Sequence, residues 1–299
     1  MDRPETWDSL AQRVVERGRV VLLIGAPDTG KTTLCQFLVR MALEEGLRTA
    51  YIDADVGQSV IGPPTTLGMT LLERGELTPY PEPSLLYFIG ATSPARHLLP
   101  TVAGLRKLLD GSLRRGAEFV VVDTTGLVAG ELGFSLKFYK VEALQPTDVV
   151  VLEREREVEH ILRALRARAK PELHLLLPSP QVIRRDQVQR QSYRLDRFRS
   201  YFLEATLREV ELSRCVLINP SFPLLGDGGG EERLRGRLIG LIDPEGFALG
   251  LGVFLGIKEG RAQLLTPVGR LQDVRALQVG SMAVHGVAHN LSRSETGVS

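Results

Sequence analysis

Six short, uninterrupted apolar runs mark the first two thirds of the chain: Val20–Ile24, Thr49–Asp53, Leu85–Ile89, Phe119–Asp123, Val149–Leu152 and His174–Leu177. Runs of this length without polar alternation suit strands covered on both faces, as in a parallel sheet. Between the first two, Leu34, Phe37, Leu38, Met41 and Ala42 recur at the i, i+3, i+4, i+7 spacing of a helix with one apolar face, and Gly46 suits its C-terminal cap. Leu98–Leu109 and Val158–Ala169 carry the same period. Alternating strand and helix signals predict a doubly wound α/β domain with its ligand at the carboxyl ends of the strands.

The rhythm changes after residue 214. Arg237–Ile242, Phe247–Leu255 and Ala262–Pro267 read as β-type runs separated by the turn sequences Asp243-Pro244-Glu245-Gly246 and Lys258-Glu259-Gly260. The expected organisation is a nucleotide-binding domain over 1–212, a smaller C-terminal β-rich domain over 213–290 and a disordered tail over 291–299. A glycine-rich loop at Asp227–Gly230 lies near the start of the second domain, and fraying is expected from His289 onward.

A chain of 299 residues with 43% hydrophobic content can supply a sizeable core. No apolar stretch approaches the roughly 20 residues that cross a bilayer. The amino end lacks the basic and apolar parts of a signal peptide, so a cytoplasmic location and no membrane partner are expected. Cys35 and Cys215 have no metal-ligand spacing and read as buried thiols. The histidines show no zinc-type spacing either. Trp7 and Phe37 read as hydrophobic anchors. With a formal net charge of +1, the molecule as a whole is no polyanion binder, so nucleic acid would need a local basic patch.

Between the first strand and the first helix lies Gly25-Ala26-Pro27-Asp28-Thr29-Gly30-Lys31-Thr32-Thr33, a G-x-x-x-x-G-K-T phosphate-binding loop in the strand–turn–helix context it requires. The fold class is therefore α/β, a doubly wound, mostly parallel P-loop NTPase domain with the β-rich domain behind it. Backbone N–H groups at a helix N-terminus suit a nucleotide polyphosphate. The expected nucleotide contacts are Gly25, Asp28, Thr29, Gly30, Lys31, Thr32 and Thr33, with Lys31 on the β- and γ-phosphates and Thr32 on Mg²⁺.

Asp53-Ala54-Asp55-Val56-Gly57-Gln58-Ser59 follows the second strand directly and brings two carboxylates beside the phosphate loop. One can hold a metal-bound water and the other can take the proton of an acceptor hydroxyl. A strand-capping Asp turn is the alternative reading of the same residues. Further on, Ile183–Arg199 carries six arginines against two aspartates, and Arg190, Arg194 and Arg197 share one helix face. Guanidinium groups on one face suit a lid over phosphates; a solvated helix face is the alternative.

Taken together, Gly25–Thr32, Asp53–Gln58, Thr124-Thr125-Gly126 and the arginine segment ending in Tyr201-Phe202 resemble the polynucleotide 5′-hydroxyl kinase family, whose members include archaeal RNA kinases and eukaryotic proteins of pre-mRNA cleavage and pre-rRNA processing. The similarity runs from about residue 15 to 210, and the β-rich tail also looks like that of the prokaryotic members. The resemblance implies ATP as phosphate donor, Mg²⁺, and single-stranded RNA or DNA with a 5′-hydroxyl end as partner. It makes Asp55 the general base, with Asp53 and Gln58 supporting metal and acceptor. Thr124, Thr125 and Gly126 become an acceptor clasp, and Arg190 and Arg194 the lid, in a segment of about 180–202. The family's clasp continues with an aromatic residue; Leu127 stands there instead, and Phe138 or Tyr139 could supply stacking. Asp123, at the end of its own strand, competes with Asp53 as the carboxylate that holds the metal. Pro63–Thr66 reads as a loop on the acceptor side. Two other functions share these parts: a nucleoside or nucleotide kinase, and an ATP-bound scaffold in RNA processing. No N-K-x-D element for guanine is present.

Overall fold

The structure, a computed structural model, describes residues 5–17, 19–73, 78, 81–218 and 230–284. The expected loop at 227–229 and the expected tail lie outside them. The first sheet is built from β1 (Val20–Gly25), β2 (Thr49–Ala54), β3 (Thr66–Leu72), β4 (Leu85–Phe88), β5 (Phe119–Thr124), β6 (Asp148–Leu152) and β7 (Glu172–Leu176), in the order β4-β3-β2-β5-β1-β6-β7. Its helices are α1 (Glu5–Arg17), α2 (Lys31–Glu44), α3 (Leu98–Arg114), α4 (Gly130–Leu144), α5 (Glu159–Arg166) and α6 (Gln187–Tyr201). Strands β2, β5, β1, β6 and β7 pair in parallel, and every residue of β1, β2, β5 and β6 is buried, as continuous apolar runs require.

Strand β3 reverses the direction at the β2 edge. Thr66, expected in a loop, is its first residue. Helix α1 also escaped the sequence reading, although Trp7, Leu10, Ala11 and Val14 form its buried stripe. Trp7 meets Phe37 with ring centroids 5.7 Å apart, so both are the hydrophobic anchors expected. Helix α4 was hidden for another reason: Lys137 and Lys140 sit on its buried face and break the apolar period.

The second sheet contains β8 (Thr206–Glu211), β9 (Val216–Ile218), β10 (Arg237–Ile242), β11 (Ala248–Lys258), β12 (Arg261–Thr266) and β13 (Ala276–Ala283), in the order β8-β12-β11-β10-β13-β9, with α7 (Gly230–Leu234) ahead of β10. Because β8 pairs with β12, this sheet begins upstream of the boundary expected at 212. The two sheets share a core in which Leu86 and Phe88 of β4 pack with Phe198 and Phe202 of the α6 segment and with Leu238, Leu251 and Val253. Cys35 is buried as expected, whereas Cys215 is half-buried; both are free thiols. Among the described residues no helix is long and apolar enough to cross a membrane.

Candidate active site

The phosphate loop joins β1 to α2. Gly30 caps α2 with φ 86°, a conformation that a residue with a Cβ rarely adopts, and no side chain caps the helix. The first N–H groups of α2 are therefore left for an anion. Lys31 is buried and donates to Ala26 O at 2.7 Å, curled over its own loop. Burial lowers the Lys31 ammonium, while Asp123 and Asp55 oppose the shift. Thr29 donates inward to Ala26 O at 3.0 Å, and Thr33 is exposed. Asp28, at φ 53°, aims its carboxylate at the arginine segment.

Asp53 and Asp123, both buried, are held in different ways. The Thr32 hydroxyl donates to Asp123 Oδ2 at 2.5 Å, and Asp123 Oδ1 is buried with no hydrogen-bond partner among the described residues. Asp53, expected beside the metal, accepts hydrogen bonds on both oxygens. Its Oδ1 accepts Asp55 N–H at 2.9 Å, and its Oδ2 accepts Val60 N–H at 2.6 Å, Ile61 N–H at 3.1 Å and the Ser59 hydroxyl at 3.1 Å. The strand-capping alternative describes Asp53 well: it ties down the 55–61 loop. Burial, then Asp123, pushes the Asp53 carboxyl up to about 7 against the hydrogen bonds it accepts. Replacing Asp53 by asparagine turns an acceptor into a donor facing N–H groups, so a stability loss of about 2–3 kcal/mol is expected in chemical denaturation.

Asp55 is half-buried. Its Oδ1 accepts Gly57 N–H at 3.0 Å and Gln58 N–H at 3.1 Å, which fixes the side chain, and its Oδ2 has no hydrogen bond among the described residues. Asp55 acts electrostatically on Lys31, Asp123, Lys137 and Lys140, which puts it in the same charged cluster as the phosphate loop. Gln58, expected at the acceptor, instead donates to Gly57 O at 2.8 Å and to Arg190 O at 3.2 Å. It ties the Asp55 loop to the arginine helix.

That helix is α6. Asp186 and Gln189 cap it reciprocally, and its one face runs along the site as the i, i+4, i+7 spacing predicts. Arg190 pairs with Asp28 at 2.5 Å, Tyr193 donates to Ser59 O at 2.8 Å, and Arg197 donates to Gly62 O at 2.8 Å. Arg194, between them, makes no hydrogen bond or ion pair among the described residues. Arg154, just after β6, donates to Asp28 O at 2.5 Å. It carried no signal in the sequence, because a single arginine after a strand has neither period nor motif.

The Thr124–Gly126 turn lies beside the loop: a Cβ on Gly126 would fall 2.5 Å from Pro27 N. The Thr124 hydroxyl, expected to meet the acceptor, is held inside instead, donating to Leu23 O at 2.6 Å and accepting from Lys137 Nζ at 2.7 Å. The Thr125 hydroxyl has no hydrogen bond among the described residues. Phe138 stacks on Phe134 at 5.4 Å with Arg168 above its ring, while Tyr139 is exposed. Burial, then Lys140, pushes Lys137 well below the usual lysine range, and burial brings Lys140 down to about 8.

The arrangement is that of a phosphoryl-transfer site: anion-binding amides, a lysine, a hydroxyl–carboxylate pair of hard oxygens, and a second carboxylate with one oxygen that has no hydrogen bond among the described residues. Comparison with known proteins agrees. The chain is 27% identical to a polyribonucleotide 5′-hydroxyl-kinase of Pyrococcus furiosus over 95% of this chain and 93% of that protein. The corresponding figures are 25%, 88% and 86% for one of Methanocaldococcus jannaschii. A protein CLP1 homolog of Culex quinquefasciatus is 32% identical over 71% of this chain and 53% of that protein. In fold, the chain is similar to Clp1p from its complex with Pcf11p, with a TM-score of 0.72 and 17% identity, over 94% of this chain and 79% of that one. The family model described as mRNA cleavage and polyadenylation factor CLP1 P-loop matches residues 25–204, from the first glycine of the phosphate loop past the end of α6, and the chain belongs to that family.

Proposed function

We propose that the protein is an ATP-dependent polynucleotide 5′-hydroxyl kinase acting on RNA. The observation that carries this reading is the meeting of Lys31, the Thr32–Asp123 pair and Asp55, whose Oδ2 has no hydrogen bond among the described residues, at the carboxyl ends of β1, β5 and β2. The polyribonucleotide kinases that match nearly the whole chain support RNA as acceptor.

In this account the α2 N-terminus and Lys31 hold the ATP phosphates. Asp55 Oδ2 takes the proton of the 5′-hydroxyl as its oxygen bonds to the γ-phosphorus. The bond from that phosphorus to the β–γ bridging oxygen breaks, and ADP leaves. In the same account Arg194 meets charge on the transferred group, and Thr125 meets the acceptor. The residues present fit Mg²⁺: Asp123 Oδ1 is a buried carboxylate oxygen without a hydrogen-bond partner among the described residues, and the Thr32 hydroxyl stands beside its twin. Bound there, the ion would neutralise charge on the β- and γ-phosphates. Asp123→Asn is expected to raise the Mg²⁺ concentration for half-maximal transfer by about 10–100-fold.

The test is transfer from labelled ATP, with Mg²⁺, to 5′-hydroxyl RNA, 5′-hydroxyl DNA and free nucleosides, with Lys31→Ala as control. Labelled RNA with the intact chain and none with the variant is the expected result. Preference for nucleosides would replace this reading by a small-molecule kinase. Tight ATP binding with no transfer to any acceptor would replace it by an ATP-bound scaffold.

A further inference from the structure

Two amines of α4 are buried completely and play no part in the steps above. Lys137 and Lys140 are 0% exposed on a helix face otherwise made of Gly133, Leu136, Val141 and Leu144. A methionine would fill the same space without the cost of desolvating an amine, so an amine kept there calls for a use in the hydrogen bonds it makes. The two differ in this respect. Lys140 Nζ has no hydrogen-bond partner among the described residues, whereas Lys137 Nζ donates to Thr124 Oγ1 at 2.7 Å and to the carbonyl of Thr125.

We propose that Lys137 is a positioning residue for the acceptor end, holding the Thr124–Gly126 turn against the phosphate loop so that Thr125 faces the incoming 5′-hydroxyl; this rests on the kinase reading above. The turn is braced on two sides. Gly126 lies against Pro27 of the phosphate loop, so close that a Cβ would fall 2.5 Å from Pro27 N. From beneath, Lys137 reaches both residues of the turn that precede Gly126, and Thr124 passes the bond on to Leu23 O of β1 at 2.6 Å. Helix α4 can supply the lysine at this point because Gly133 lets its first turns press on the backbone of Val128. Leu136 and Val141 then fix the helix in the core, one position before and four after the lysine. The chain Leu23–Thr124–Lys137–Thr125 thus links the strand that carries ATP to the turn that meets the acceptor. Without it the turn is free to shift, and a displacement of about 1 Å in a reacting geometry costs on the order of 100-fold in rate.

The experiment compares Lys137→Met and Lys140→Met in the full chain, measuring the ATP dissociation constant, and kcat and KM for a 5′-hydroxyl RNA oligonucleotide. Lys137→Met is expected to bind ATP within about twofold of the intact chain while losing about 100-fold in kcat/KM for the oligonucleotide. Lys140→Met, which removes an amine of the same burial but no hydrogen bond, is expected to lose less than about tenfold, since it leaves the turn's bonds in place. Should Lys137→Met fail to fold, Thr124→Val removes the same bond from its other end, and the same split between ATP binding and acceptor turnover is expected of it. Equal losses in ATP binding and in transfer, equal losses in the two lysine variants, or an unchanged kcat/KM would overturn the positioning role while leaving the kinase reading intact. Failure of the intact chain to phosphorylate the oligonucleotide would overturn both.

Discussion

Asp55→Asn is expected to bind ATP as the intact chain does and to phosphorylate 5′-hydroxyl RNA on the order of 10²–10⁴-fold more slowly, the usual contribution of a positioned general base. The expectation comes from the unequal use of its two oxygens. Oδ1 accepts the N–H groups of Gly57 and Gln58, which holds the side chain, and Oδ2 has no hydrogen bond among the described residues. An asparagine that keeps its oxygen on those two N–H groups preserves the loop and presents an amide N–H₂ where the base was. The substitution thus separates shape from basicity. Single-turnover transfer with saturating ATP is the measurement that checks it, and a variant with the intact rate would move the base to another residue. Asp53 cannot take that place, since both its oxygens are engaged in holding the 55–61 loop.

The second large effect is expected at the lid, where the two arginines of the R-x-x-x-R pair differ. Arg194→Ala is expected to lower turnover on the order of 10³-fold, as loss of an arginine finger does, with little change in ATP affinity. Arg194 has no ion pair or hydrogen bond among the described residues and is free to follow the charge of the transferred group. Arg190 is already tied to Asp28 at 2.5 Å, with its backbone carbonyl held by Gln58. Arg190→Ala therefore loosens the lid from the phosphate loop, and both ATP affinity and turnover are expected to fall. Lysine at 194 is expected to restore little, because one ammonium cannot make the planar, two-point contact of a guanidinium. Fluorescent-nucleotide binding and RNA turnover on the same preparations distinguish the two arginines; equal effects on affinity would sink the assignment.

The strands flanking the phosphate loop were legible because buried parallel strands write themselves as apolar runs, and the loop because its glycines and lysine have fixed spacing. Strand β3 was missed where the prolines at 63 and 64 drew attention to a turn, although Leu67 and Met69 are buried. Helix α4 was missed because its inward face carries two lysines, a pattern that sequence periodicity assigns to solvent. Within the site, residue identities were legible but the direction of each side chain was not. Asp53, Gln58 and Thr124 are where the motif puts them, yet each is turned into the scaffold. Only the packing of the 55–61 loop, α4 and α6 decides which carboxylate faces outward.

The roots of α6 have a mechanical consequence. Phe198 and Phe202 are 2% exposed in the core common to both sheets, and the Tyr201 hydroxyl accepts Leu251 N–H of β11 at 2.7 Å. The opposite end of the helix follows residues 177–186, which have no regular structure. Helix α6 is thus rooted in the second sheet at its carboxyl end and joined to the phosphate loop at its amino half. A polypeptide cut before Thr206 would take from Phe198 and Phe202 their partners Leu238, Leu251 and Val253, so the smaller sheet is a footing for the arginine helix as well as a domain of its own.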